Sequence, residues 1–132
     1  MRRILIVEDS ATMRALLVSA LENLPMPVKV TEAESGFGAL RSLPRESFDL
    51  IVTDINMPDI NMPDINGLEL VSFVKSNPAY RSIPLVIVST ESSERDRDKG
   101  LGLGADAYLV KPFTPEALRQ VVEDLLTESR PG

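Results

Sequence analysis

The chain contains no cysteine, no histidine and no tryptophan, and only 5% of its residues are aromatic. Without cysteine there are no disulfides, no zinc–thiolate sites and no thiol nucleophile. Without histidine there is no Ser-His-Asp triad and no imidazole metal ligand. Positive charge is also scarce: 20 acidic residues against 14 Lys and Arg leave a net charge of −6 at pH 7. Broad nucleic-acid binding needs a basic face to neutralise phosphates, so this balance argues against it. No apolar run approaches the roughly 18 residues of a membrane span. The opening Met1-Arg2-Arg3-Ile4-Leu5-Ile6-Val7-Glu8 meets an acid too early for a signal peptide. The expectation is a cytoplasmic protein whose chemistry rests on carboxylates, a few lysines and hydroxyls.

What is present suits one core. With 132 residues, 43% of them hydrophobic, the chain is long enough for a single domain. Short β-branched segments at 3–7, 28–33, 48–53, 84–89 and 107–110 read as buried parallel strands. Between them, Met13, Leu16, Leu17, Ala20, Leu21 and Leu24 follow a helical period, as do Leu118, Val121, Val122, Leu125 and Leu126. Thr114 followed by Pro115 marks the start of the last helix. Asn66-Gly67-Leu68-Glu69 resembles a capping box opening a helix to about Ser76. Residues 35–43 form a weaker helix, and 91–104 are polar, carry three glycines and lack a clear apolar stripe. The alternation is βαβαβαβαβα, an α/β doubly wound five-stranded parallel sheet with five helices.

In such a sheet, ligands collect outside the carboxyl ends of the strands. Strand one ends in Glu8-Asp9, strand three in Asp54, strand four in Ser89-Thr90 and strand five in Lys111. Three carboxylates against one ammonium leave the site short of positive charge. Like carboxylates raise each other's pKa unless a cation offsets them. Their hard oxygens suit Mg²⁺, with Mn²⁺ as the alternative, and not zinc. Such a site neutralises phosphoryl oxygens beside a nucleophilic carboxylate.

Four motifs stand in register over residues 2–126: Val7-Glu8-Asp9-Ser10, Thr53-Asp54-Ile55-Asn56-Met57-Pro58, Val88-Ser89-Thr90-Glu91 and Val110-Lys111-Pro112-Phe113. They resemble the receiver domain of two-component response regulators, near its single-domain chemotaxis branch. The resemblance implies a flavodoxin-like strand order 2-1-3-4-5, a receiver domain over 1–126 and a short polar tail at 127–132. It implies phosphorelay signalling, with a histidine kinase donating a phosphoryl group to Asp54. Glu8, Asp9 and Asp54 would hold the metal, with Asn56 adding its backbone carbonyl. Lys111, across a bond to Pro112 that the family makes cis, and the Ser89 hydroxyl would meet phosphoryl oxygens. Ser89 and Tyr108 would form the switch, and Asn56 and Glu91 would tune a fairly short phosphoryl lifetime. Output would pass to a downstream protein on the face of the fourth helix, fifth strand and fifth helix, since no DNA-binding region is expected after the last helix.

The sequence departs from the family in two places, a repeat after Asp54 and the residue Thr90. Residues 54–67, Asp-Ile-Asn-Met-Pro-Asp-Ile-Asn-Met-Pro-Asp-Ile-Asn-Gly, carry a five-residue tandem duplication, which offers Asp54, Asp59 and Asp64 as candidates. Ending strand three at Asp59 would put Pro58 into a central strand. It would also bury Asp54 among apolar neighbours and, five being odd, turn every strand side chain to the other face. Asp54 is therefore the acceptor. Gly67 then lies thirteen residues from Asp54 where the family has eight. Lengthening a loop from about 6 to 11 residues costs only roughly 0.5 kcal/mol. Either Asn56 or Asn61 could offer the metal carbonyl, and Asn56 is favoured as the nearer. Thr90, larger than the usual residue there, narrows access to Asp54. A monomer is expected, with a dimer by exchange of elements as the alternative state. The alternative function is a receiver-fold interaction module whose phosphorylation the insertion impairs. A phosphatase of the haloacid dehalogenase type is disfavoured, because strand one ends in adjacent Glu8-Asp9 and not Asp-x-Asp.

Overall fold

The computed structural model describes residues 1–55, 67–90 and 94–128. Five strands, β1 (Arg2–Val7), β2 (Val28–Ala33), β3 (Leu50–Asp54), β4 (Leu85–Ser89) and β5 (Ala107–Val110), alternate with five helices. The helices are α1 (Ala11–Glu22), α2 (Gly36–Ser42), α3 (Gly67–Ser76), α4 (Glu94–Gly102) and α5 (Pro115–Glu128). The strands pair in parallel in the order β2-β1-β3-β4-β5. This is the doubly wound sheet that the alternation predicts.

Side-chain alternation divides the core. Ile4, Ile6, Leu50, Val52, Val86 and Val88 pack with α1 and α5 on one face. Leu5, Val7, Ile51, Leu85 and Ile87 pack with α2, α3 and Tyr108 on the other. β3 and β4 are buried along their whole length, which is why they read as unbroken apolar runs. Each such Leu, Ile or Val contributes about 1.5–3 kcal/mol through burial.

The local differences from the sequence have physical causes. β3 starts at Leu50, two residues later than its pattern suggests. Asp49 sits ahead of it: its carboxylate accepts from the Arg3 amide at 2.8 Å while its own amide donates to the Arg3 carbonyl at 2.7 Å. β4 starts at Leu85 because Pro84 has no N–H, yet the Pro84 carbonyl still accepts from Ile51 at 2.9 Å. Leu16, expected on the apolar stripe of α1, is 58% exposed. The buried stripe is narrower and centres on Leu17, Ala20 and Leu21. Thr114 caps α5 as expected, accepting from the Ala117 amide at 3.1 Å. That helix continues to Glu128, two residues into the stretch read as a tail. The capping box at Asn66 lies outside the described residues, although α3 does open at Gly67.

Gly67 fixes where β3 and α3 meet. A Cβ on it would stand 2.3 Å from Ile55 Cα and 2.4 Å from the Asp54 carbonyl oxygen. The end of β3 and the start of α3 therefore meet backbone to backbone, however many residues separate them along the chain.

Candidate functional site

Strand parity aims the site. On β1, Ile4 and Ile6 face α1 and α5, and Glu8 continues that line one step past the strand. On β3, Leu50, Val52 and Asp54 form the adjacent line, with Ile4 opposite Leu50 and Ile6 opposite Val52. On β5, Ala107 and Leu109 face the same way, and Lys111 comes next. Three strands thus deliver Glu8, Asp54 and Lys111 to one corner of the carboxyl edge.

There the Lys111 Nζ donates to Glu8 Oε1 at 2.9 Å and to Asp54 Oδ2 at 3.2 Å. Glu8 and Asp54 are almost fully buried, at 1% and 2% exposure. The second Glu8 oxygen, Oε2, accepts from the Ser10 amide at 3.0 Å. Ser10 in turn caps α1, its hydroxyl accepting from the Met13 amide at 3.2 Å. Asp9 is exposed at the mouth, and one carboxylate oxygen from each of Glu8, Asp9 and Asp54 lies within 4.8 Å of the others. The Lys111–Pro112 bond that carries the ammonium is cis, as the resemblance implies.

Burial pushes the Glu8 carboxyl above its ordinary range. The Ser10 amide and Lys111 oppose that rise, while Asp54 and Asp9 add to it. Burial alone would lower the Lys111 ammonium, but the facing carboxylates of Glu8 and Asp54 outweigh it and the net direction is up. One ammonium is shared by Glu8 and Asp54, and Asp9 adds a third carboxylate beside them. The donor set is hard oxygen, close-set and short of positive charge, and it fits a divalent cation of the Mg²⁺ type.

Ser89 and Tyr108 alternate along β4 and β5 with the line that carries Asp54 and Lys111. Ile87 pairs with Tyr108 and Ser89 with Val110, and this line faces the α4 side of the sheet. Ser89 is fully buried at the same carboxyl edge, its carbonyl accepting from the Lys111 amide at 2.7 Å. Tyr108 is already buried, at 8% exposure. Asn56, Glu91 and the alternatives Asp59, Asn61 and Asp64 lie outside the described residues.

The sequence did not single out Arg14. From α1 its Nη1 donates to the carbonyls of Glu8 and Asp9 at 2.9 and 3.3 Å. The same guanidinium faces Glu32 at 3.4 Å and Glu34 at 3.5 Å. A lone arginine on a helix carries no local signal. Only the neighbouring positions of β1 and β2 reveal its partners.

Residues 4–123 match the response regulator receiver domain. The chain is 38% identical over 125 residues to a chemotaxis protein CheY homolog of Campylobacter jejuni, covering 94% of this chain and 92% of that protein. The chemotaxis response regulator CheY4 of Vibrio cholerae superposes with a TM-score of 0.82 at 31% identity, covering 95% and 98% of the two chains. The receiver domain of the sensor histidine kinase PA1611 of Pseudomonas aeruginosa, solved with magnesium in its active site cleft, gives 0.81 at 25% identity, covering 96% and 98%. With four carboxyl-edge motifs, the 2-1-3-4-5 sheet and a match over most of its length, this chain belongs to the response regulator receiver domain family.

Proposed function

We propose that the protein is a phosphorylation-dependent switch that takes a phosphoryl group from a histidine kinase onto Asp54. The observation that carries this reading is the Lys111 ammonium bridging Glu8 and Asp54 beneath an acidic mouth. An Asp54 carboxylate oxygen forms a bond to phosphorus as the phosphorus–nitrogen bond of a phosphohistidine breaks. The electron pair leaves with the imidazole, which takes up a proton. Lys111, already 3.2 Å from Asp54 Oδ2, neutralises charge on that side of the transferring group. Glu8 is held beside it by the Ser10 amide and Lys111. Mg²⁺, or Mn²⁺, held by Glu8, Asp9 and Asp54 with the Asn56 carbonyl, would supply the missing positive charge against the phosphoryl oxygens. Magnesium in the cleft of the Pseudomonas receiver domain supports that assignment.

The acyl phosphate carries about two negative charges where the carboxylate had one. Ser89 answers the new oxygens with its hydroxyl, and Tyr108, one strand over on the same face, reports the change to a downstream protein at α4, β5 and α5. Asn56 and Glu91 set how long the phosphoryl group survives. The likeness to chemotaxis regulators supports a signalling role in the cytoplasm. The duplication after Asp54 favours one second reading, an interaction module that no longer takes phosphate.

One experiment separates the two. The protein is incubated with acetyl phosphate and Mg²⁺ and weighed by mass spectrometry beside Asp54→Asn. The switch gains one phosphoryl mass that the variant does not. No gain on the parent gives the module reading.

A further inference from the structure

We infer that Arg14 is a positioning residue for the cation site, holding the Glu8–Asp9 peptide so that the Asp9 carboxylate stays at the mouth. The inference rests on the proposed metal-assisted switch and deepens it.

The three acids are not held equally. Glu8 is fixed at both oxygens, by Ser10 and by Lys111. Asp54 is fixed by Lys111 and by its place at the end of β3. Asp9 is exposed, and among the described residues no ion pair holds its carboxylate. Its direction follows from its backbone. That backbone is gripped by Arg14, whose Nη1 takes the carbonyls of Glu8 and Asp9 together.

The other donors of the fork turn away, Nε to Glu32 and Nη2 to Glu34. Glu32 lies on β2 and Glu34 just after it, so one planar group ties the exits of β1 and β2 to α1. The Arg14 side chain is 14% exposed, so it is held largely within the fold. Its charge is answered locally by Glu32 and Glu34, so its effect on the acids is geometric and not a matter of net charge. Groups that orient metal ligands in this way typically cost 10- to 100-fold in affinity when removed. Lysine keeps the charge but has no planar fork, and it cannot meet two carbonyls and two carboxylates at once.

The test is Mg²⁺ titration followed by amide chemical shifts, with urea unfolding alongside, for the parent, Arg14→Ala, Arg14→Gln and Arg14→Lys. The expected result is about 10- to 100-fold weaker Mg²⁺ binding in all three variants, read on whichever of them unfold at urea midpoints close to the parent's. Parent-like affinity in a folded Arg14→Gln or Arg14→Ala protein overturns the inference while the metal site stands. Full affinity in Arg14→Lys overturns it too, because charge and not geometry would then suffice. A parent that ignores Mg²⁺ sinks the proposed function and the inference with it.

Discussion

Gly100 and Tyr108 are in direct packing contact across α4 and β5: a Cβ at residue 100 would stand 3.4 Å from the Tyr108 Cδ2 and 2.7 Å from the Ile87 Cδ1. Gly100 is also the one buried residue of α4. The helix thus sits close on the sheet because residue 100 lacks a side chain, and the tyrosine ring fills the remaining space. Alanine there brings two opposed effects. Helix propensity gains up to about 1 kcal/mol, and overpacking costs about 1–3 kcal/mol, less where a flexible Ile end can yield. Gly100→Ala is therefore expected to change stability by no more than about 1 kcal/mol while pressing the Tyr108 ring outward. In a Tyr80→Phe background, Tyr108 is the sole tyrosine, and acrylamide quenching of its fluorescence should rise. Quenching equal to that of the parent would show that Ile87 absorbs the whole change.

Gly67 presents the opposite case, because its neighbours are backbone. The Ile55 Cα and the Asp54 carbonyl cannot rotate away from a new methyl group. Gly67→Ala should lose about 2 kcal/mol or more by urea unfolding, toward the upper end of overpacking costs. Gly102→Ala is the matched control: nothing lies within 4 Å of its Cβ, and it should stabilise by up to about 1 kcal/mol. Equal effects at the two positions would remove the claim that β3 and α3 meet here.

The same meeting point bears on the duplication. If Ile55 and Gly67 are neighbours already, excising residues 56–60 shortens a loop without moving its ends and restores the eight-residue spacing from Asp54 to Gly67. The closure term changes by roughly 0.5 kcal/mol, so the melting temperature should stay within a few degrees. Under the proposed function the shortened protein also takes phosphate from acetyl phosphate at least as fast as the parent. A shortened protein that fails to fold would mean that the five residues belong to the structure.

Most of the frame was legible because β3 and β4 are buried on both faces and betray themselves as apolar runs. The acids were legible because they interrupt those runs at the carboxyl edge. Arg14 was not, since it meets backbone carbonyls at the exit of β1 and carboxylates at the end of β2, and a side-chain pattern signals neither. Asp49 could not be told from a strand residue, because its carboxylate stands in for part of the ladder through the Arg3 amide. Leu16 shows the limit of periodicity: it has the right spacing, but it lies at the edge of a stripe narrower than its pattern. The division between Asp54 and Lys111 on one face and Ser89 and Tyr108 on the other follows from counting by twos. That count needs the register, which the paired strands supply.

The uneven charge of the mouth sets the last expectation. Glu8 and Asp54 are buried and share one ammonium, whereas Asp9 adds a third negative charge and has no cation of its own among the described residues. Like charges at close range are unfavourable in the folded chain and far apart in the unfolded one. Asp9→Asn should therefore raise the melting temperature in metal-free buffer by on the order of 2 °C, matching the roughly 0.5 kcal/mol of an exposed charge change. The parent, under the proposed function, gains stability on adding Mg²⁺ because the folded state alone gathers the three carboxylates. The variant should gain little. Thermal melts of both proteins, with Mg²⁺ and with a chelator, supply the four numbers required. A variant less stable than the parent in chelator would show that Asp9 is held by a favourable contact, and the strain attributed to the acid cluster would have to be given up.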